Sequence, residues 1–396
     1  MAKVAEKPVA VTGNEAVANA LRQANPDVCA AYPITPQTDM MQRFASFAAN
    51  GKVDTEIILV ESEHSAMSAC VGASAAGGRV ITATSSQGLA LMWEILFIAA
   101  GDNLPIIMPV VNRALSAPLN IHGDHSDAMG ARDTGWIQLW SENAQEAYDN
   151  TIQAFRIGEH LDLRLPVMTN MDGFIISHSI ETMKYLNDED ARNFIGEFKT
   201  VNPLLDIKNP KSYGPLILPD LYHEYKRLQH EIMGRVKGVV LDVAADFEKL
   251  CGRKYGLFEA YRLEDAEVAM VIMGSAAGTT KDVVDELRDR GVKAGMLKPR
   301  LFRPFPYEEV ADALKHLKAV CVMDRADSFG GYGPVFMEVS SALYQSGQRP
   351  ALINKIYGLG GRDYLPEHGF EVFEELGQIA SGGKIKLVKE YIGVRQ

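Results

Sequence analysis

Across residues 28–171 the chain alternates short apolar runs with helical stretches of about a dozen residues, a pattern that few folds accommodate. Residues 28–32, 57–60, 79–83, 105–111 and 166–171 read as strands. Residues 39–49, 63–76, 89–100 and 144–160 read as the helices between them. The run PIIMPVV at 105–111 is apolar on both sides, as a central parallel strand covered on two faces must be. The alternation therefore predicts an α/β fold with a doubly wound parallel sheet. A helix from Gly13 ends at Asn25-Pro26, a strong breaker. From residue 173 the pattern loosens into a Pro- and Asn-rich connector. An amphipathic helix follows over 221–250, with interruptions expected near Gly234 and Gly238. A second α/β unit begins near Ala266, where a strand, a Gly/Ser turn and a helix follow one another.

Composition narrows the function classes. A net charge of -11 over 396 residues argues against wholesale nucleic-acid binding. No apolar run of about 18 residues occurs, so no membrane span is expected. The opening MAKVAEKPVAVTGNEAV lacks the apolar core of a secretory signal, which makes a cytoplasmic protein the expectation. Cys29, Cys70, Cys251 and Cys321 are scattered and form no CxxC pair. They read mostly as buried structural thiols, and any iron–sulfur cluster would belong to another subunit.

Three stretches carry chemistry-bearing residues. In Tyr32-Pro33-Ile34-Thr35-Pro36 two prolines stop the first strand and set the Thr35 hydroxyl at its carboxyl end, where open α/β sheets keep ligands. Glu61 and Glu63 follow the second strand and open an Ala/Ser/Gly-rich helix; Glu63 reads either as a helix N-terminal charge or as a poised acid. Residues 112–135 form a long connection holding Arg113, His122, Asp124, His125 and Asp127. Arg113 suits a substrate carboxylate, or else pairs with Asp124 or Asp127 and shapes the loop. The His/Asp spacing reads as a divalent-metal site or as residues bonded to one another and to the turn. Thr84-Ser85-Ser86-Gln87-Gly88 does not match a GxSxG nucleophile elbow. The Gly274–Gly278 turn could cradle a phosphate of a nucleotide or coenzyme A, although it lacks full GxGxxG spacing.

Taken in order, YPITP, SEHSA, TSSQGL, NRALSAPLNIHGDHSD and GGYGPVF resemble the α subunits of multisubunit pyruvate:ferredoxin oxidoreductases, thiamine diphosphate-dependent 2-oxoacid:ferredoxin oxidoreductases. The resemblance spans nearly the whole chain. It implies a pyrimidine-type thiamine diphosphate-binding domain over residues 1–240, with a helical connector from about 174, and a transketolase C-terminal-like domain over 260–396. It implies that Glu63 faces the aminopyrimidine of the cofactor and that Thr35 and Arg113 bind the 2-oxoacid. Pro33, Ile34 and Gln87 would touch the cofactor. The implied reaction converts pyruvate, coenzyme A and oxidised ferredoxin to acetyl-CoA, carbon dioxide and reduced ferredoxin, or runs in reverse.

The GDG…Asn arrangement by which thiamine enzymes hold Mg-diphosphate is missing; Gly101-Asp102-Asn103, Gly123-Asp124-His125 and Asp172-Gly173 do not match it. The resemblance accounts for this by placing the diphosphate domain and Mg on a β subunit. By the same resemblance the [4Fe-4S] clusters would lie on partner subunits of a complex with γ and δ subunits, and no metal is expected on this chain itself. The same chemistry on another 2-oxoacid, a non-catalytic nucleotide- or coenzyme A-binding subunit, and a metal-dependent hydrolase built on His122–Asp127 are the competing readings. The apolar helix at 89–100 and the amphipathic one at 221–250 are the surfaces expected to meet a partner.

Overall fold

The computed structural model describes residues 7–347 and 349–395. Strand β1 (Lys7–Thr12) leads into α1 (Gly13–Ala24), β2 (Val28–Ala31), α2 (Thr38–Ala49) and β3 (Glu56–Leu59). Next come α3 (Glu63–Ala76), β4 (Val80–Ile81), α4 (Ser86–Leu91), α5 (Trp93–Gly101) and β5 (Ile107–Asn112). Helix α6 (Ser126–Gly130), β6 (Ile137–Trp140), α7 (Ala144–Gly158) and β7 (Val167–Asp172) complete the alternation. Strand β8 (Ile180–Tyr185) returns to pair antiparallel with β1, and α8 (Asp188–Ile195) and α9 (Pro219–Cys251) follow. The second unit runs β9 (Phe258–Tyr261), β10 (Val268–Val271), α10 (Ala276–Asp289), β11 (Ala294–Pro299), β12 (Leu301–Arg303) and α11 (Tyr307–Leu314). It ends with β13 (Ala319–Asp324), α12 (Pro334–Ser346), β14 (Ala351–Ile356), α13 (Pro366–Ala380) and β15 (Lys389–Tyr391).

The first sheet has seven strands in the order β12-β6-β7-β5-β4-β2-β3, parallel except for β12. Its strands are apolar on both faces because both faces are covered. Cys29, Ile107 and Val111 pack with α1, α7 and α9; Ala30, Met108 and Val110 pack on the opposite side with α3 and α5. The second sheet runs β15-β14-β13-β10-β11-β9, with only β9 antiparallel to its neighbour. Strand β12 departs from the division near residue 260: it belongs by sequence to the second unit, yet it pairs with β6 at the edge of the first sheet.

Two helices differ from expectation. The apolar helix expected over 89–100 begins earlier, at Ser86, and is split at Met92 into α4 and α5. Helix α9 runs without a break for 33 residues, so the expected interruptions at Gly234 and Gly238 are corrected. Its buried face, Val236, Val240, Val243, Ala244 and Phe247, repeats at helical spacing and outweighs the roughly 1 kcal/mol each glycine costs. The thiols of Cys29, Cys70 and Cys321 are buried, and burial pushes each of them up, Cys70 to about 12. Among the described residues no helix is long and apolar enough to cross a membrane.

Gly234 and Gly238 both face solvent, and a Cβ at either position would meet nothing within 4 Å. Gly234→Ala and Gly238→Ala should therefore each stabilise the chain by about 0.5–1 kcal/mol. Thermal unfolding checks this: a raised midpoint is expected, and a lowered one would show that the glycines are needed where they stand.

Candidate active site

The turn after β2 is pinned from two sides. Asn14 Nδ2 donates to Pro36 O (2.9 Å), and Gln37 Nε2 donates to Ala83 O (2.7 Å). This leaves Pro33 and Thr35 exposed, with Ile34 partly covered, at the carboxyl edge of the first sheet. On the neighbouring strand–helix junction, Ser62 caps α3 by accepting from Ser65 N (3.2 Å), and Glu63 is the first residue of the helix. Helix α3 ends at Gly77 in the left-handed region (φ 108°), a turn that glycine makes without strain.

The two glutamates of this junction have different fates. Glu61 is exposed and accepts from the Ser65 hydroxyl, which holds its carboxyl below the usual range. Glu63 is only 7% exposed, and among the described residues nothing donates a hydrogen bond to its carboxylate. Most buried carboxylates are hydrogen-bonded, which makes Glu63 a candidate site residue. The backbone at Gly88 closes in on it: a Cβ there would lie 2.7 Å from Glu63 Oε1 and 2.4 Å from Thr84 Oγ1. The hydroxyls of Thr84 and Ser85 are also buried without a partner among the described residues. Gln87 is committed within the chain, its Nε2 donating to Ser116 Oγ (2.6 Å) and its Oε1 facing the Ser86 hydroxyl (2.5 Å).

Arg113 follows β5 and is 7% exposed. Its Nη1 donates to Thr35 O (2.9 Å) and its Nε to Asn120 O (3.0 Å), which joins the two sequence-predicted stretches directly. No carboxylate lies within ion-pairing distance of the guanidinium among the described residues, so pairing with Asp124 or Asp127 is not what holds it. Burial pushes its pKa down, and the nearby Asp127 charge opposes that shift. A cation so placed suits an incoming carboxylate.

The His/Asp residues of the loop do not converge on a metal position. Asp124 accepts from Ser126 N (3.0 Å), Ser126 Oγ (2.6 Å) and Gly360 N (3.0 Å). His122 is exposed against Phe174 (5.0 Å between ring centroids). His125 turns its Nε2 to Asp172 Oδ1 (2.6 Å), and Asp127 faces backbone donors. The hydrolase reading loses its support here. Among the described residues one acidic group, Glu142, Glu146 and Glu259, is compact enough for a metal. The Lys298 ammonium already sits in it, 2.5–2.9 Å from all three carboxylates.

The Gly274–Gly278 turn does cradle an anion, but the anion is the chain's own. Asp172 Oδ2, at the end of β7, accepts from Ser275 N (2.8 Å), from the Ser275 hydroxyl and from Arg325 Nη1 (3.0 Å). Gly274 (φ 74°) is required, since a Cβ would lie 2.7 Å from that oxygen. Burial raises the Asp172 carboxyl, but the His125 and Arg325 charges outweigh it and hold it well below the usual range. The non-catalytic nucleotide-binding reading, which rested on this turn, is corrected accordingly. Sequence reasoning missed the roles of Asp172 and Asn14. Asp172-Gly173 at a strand's end, which does not match the diphosphate motif, is the signal that marks a buried carboxylate there.

Comparison with known proteins bears on this geometry. Residues 19–245 match the family described as pyruvate flavodoxin/ferredoxin oxidoreductase, thiamine diP-bdg, and residues 266–368 match pyruvate:ferredoxin oxidoreductase core domain II. The chain is 56% identical over 396 residues to pyruvate synthase subunit PorA of Thermotoga maritima, covering 100% of each. It is 42% identical over 393 residues to ketoisovalerate oxidoreductase subunit VorA of Pyrococcus abyssi, covering 98% of this chain and 99% of the relative. A solved structure of 2-oxoglutarate:ferredoxin oxidoreductase from Magnetococcus marinus superposes with a TM-score of 0.71 at 21% identity. That match covers 94% of this chain and 65% of the other, and it supports the fold.

Asp172 carries a negative charge that the fold stabilises, so its contribution is fully present above the unfolded carboxyl pKa of about 4 and is lost as pH falls through its depressed folded value. Asp172→Asn should cost about 3 kcal/mol or more at neutral pH by leaving Arg325 without its partner. The gap between variant and wild type should narrow below about pH 4. Thermal unfolding against pH measures this, and an equal midpoint at pH 7 would contradict it.

Proposed function

This chain belongs to the 2-oxoacid:ferredoxin oxidoreductase family, and we propose that it supplies the pyrimidine-facing, substrate-holding half of an active site that acts on pyruvate. The reading is carried by one contrast: among the described residues Glu63 is a buried carboxylate with no donor, in a site where Arg113 is a buried guanidinium with no carboxylate. Thiamine diphosphate, when bound, supplies the nucleophilic carbon and the electron sink for decarboxylation. Glu63, Thr84 and the backbone at Gly88 fit one wall of its pyrimidine, alongside the exposed edge of Pro33 and Ile34.

Glu63 would hold or give a proton at its carboxyl oxygen to the pyrimidine of the bound cofactor, the task of a general acid/base in a partly dry site. Arg113 offers the guanidinium edge not used on Thr35 and Asn120 to the substrate carboxylate, and the exposed Thr35 hydroxyl adds a donor beside it. Gln87 latches the Ser86 segment to Ser116 and so borders the pocket through its backbone. The fit stops at the diphosphate. The sequence has no GDG…Asn arrangement, and among the described residues no cluster of metal-ligating side chains lies at this edge, so a partner subunit would bring Mg and complete the site.

In this reading residues 1–240 and 260–396 are the pyrimidine-type and transketolase C-terminal-like domains of an α subunit. A β subunit supplies the diphosphate domain, and partner subunits, γ and δ among them, carry the [4Fe-4S] clusters. Electrons go to ferredoxin, and coenzyme A takes the acyl group. Pyruvate is favoured because the 56% identical relative is a pyruvate synthase subunit. A branched 2-oxoacid is the second reading, because a ketoisovalerate oxidoreductase subunit is 42% identical over nearly the whole chain.

Glu63→Gln in the assembled complex should lower turnover of pyruvate by about 100- to 10,000-fold, with thiamine diphosphate retained. Steady-state ferredoxin reduction reads this out. Near wild-type turnover would remove Glu63 from the chemistry.

A further inference from the structure

One carboxylate of the site loop is shielded from solvent and, among the described residues, forms no ion pair. Asp127 is 3% exposed, and both of its oxygens are surrounded by N–H donors from three segments. Oδ2 accepts from Ser86 N and from Arg113 N (2.9 Å each). Oδ1 accepts from Asn112 Nδ2 (2.9 Å) and from Ala128 N (2.7 Å). Among the described residues no ion pair reaches it.

The donors are not arbitrary ones. Ser86 opens the segment whose Gly88 backbone closes on the Glu63 carboxylate, and it holds a left-handed conformation (φ 48°) that a serine adopts only when its surroundings impose it. Its hydroxyl also lies 2.6 Å from Ala114 O, one residue past Arg113. Arg113 N is the backbone amide of the residue that carries the unpaired guanidinium. One oxygen atom thus fastens the Glu63 side of the site to the Arg113 side.

We propose that Asp127 is a positioning residue of this active site, a buried carboxylate that fixes the Ser86–Gly88 segment and the end of β5 to each other and so holds the Arg113 guanidinium ready for the substrate carboxylate. The assignment rests on the reading of Arg113 given above. Asp127 suits the task because an ionised carboxylate only accepts, whereas a protonated acid or an amide would turn a donor toward an N–H. Burial pushes this carboxyl up to about 6, against the four donors that favour the charged form. Its charge also acts through space on the guanidinium, opposing the loss of charge that burial favours while leaving the Arg113 side-chain donors free of it. Asn112 Nδ2 in turn reaches Asn170 Oδ1 on β7 (3.3 Å), so the clamp is anchored in the centre of the sheet.

A double-mutant cycle in the assembled complex tests this, with the apparent KM for pyruvate and kcat measured for wild type, Asp127→Asn, Arg113→Ala and the double variant. Asp127→Asn keeps the volume and removes the charge and one acceptor. It should raise KM by about tenfold or more, with kcat falling by a smaller factor. Arg113→Ala should raise KM by a similar or larger factor, and the double variant should be no worse than Arg113→Ala alone, since Asp127 acts through that side chain. A raised KM in Arg113→Ala together with a wild-type KM in Asp127→Asn, or fully additive effects, would overturn the positioning role alone. A wild-type KM in Arg113→Ala would overturn the substrate-binding reading and this proposal with it. If Asp127→Asn does not assemble, Asn112→Ala takes its place in the cycle: it removes one donor and leaves the charge. A several-fold, sub-additive rise in KM is then expected, and an unchanged KM overturns the proposal.

Discussion

Asp172 sits where the two sheets meet, and its two oxygens are divided between them. Oδ1 faces His125 of the long loop that leaves the first sheet, while Oδ2 takes Ser275 and Arg325 from the strand ends of the second. Burying a carboxylate and a guanidinium is costly unless both are fully bonded. Here the carboxylate is met on every side, and Arg325 adds a bond to Gly358 O (3.1 Å). The consequence reaches the pocket. With His125 held by Asp172 and Asp124 held by Gly360 N, the 112–126 loop cannot drift from the sheet edge. Asn120, whose carbonyl accepts from Arg113, is itself tied to Gly360 O (2.9 Å). The second unit thus frames the guanidinium through Asn120, without a hydrogen bond to it among the described residues.

Within that frame the acidic residues divide their work, and the division is what singles out Glu63. Asp172, Asp127 and Asp124 are buried and saturated with donors, and Glu61 is exposed and bound to Ser65. Glu63 alone among these five is buried and unengaged. The same distinction applies to the arginines of this edge: Arg325 has Asp172, whereas Arg113 has only carbonyl oxygens. An acid without a donor and a guanidinium without a carboxylate, amid neighbours that are paired, are the contrast on which the proposed ligand roles of Glu63 and Arg113 rest.

Much of this was legible in the sequence. The apolar alternation gave the parallel sheet because strands covered on both faces need apolar residues on both sides, and helix Glu63–Ala76 was bounded correctly because Gly77 punctuates it so strongly. Thr35 and Arg113 could be placed at one edge from strand ends alone, and they do meet through the Thr35 carbonyl. Long-range pairings were not legible. Strand β12 completes a sheet whose other members lie more than 100 residues earlier, and β8, exposed along much of its length, lacks the apolar run that marks the sheet strands. Glycine preference misjudged α9, because burial along Val236–Phe247 decides that helix. At Gly274–Gly278 the sequence showed a nest of donors and could not show that Asp172, 103 residues away, fills it. Local spacing reveals which groups can bind; only the fold shows which of them are already taken.

The central claim is that this chain holds a proton-transferring acid and a substrate-binding cation yet only one wall of the cofactor site. Calorimetric titration of the separately expressed chain with Mg and thiamine diphosphate tests it most directly, beside the same titration of the assembled complex. The account predicts no binding tighter than about millimolar for the chain alone, since diphosphate recognition needs concentrated positive charge that this edge lacks, and tight binding once the partner is present. Micromolar binding by the chain alone would show a complete cofactor site here and would contradict the account.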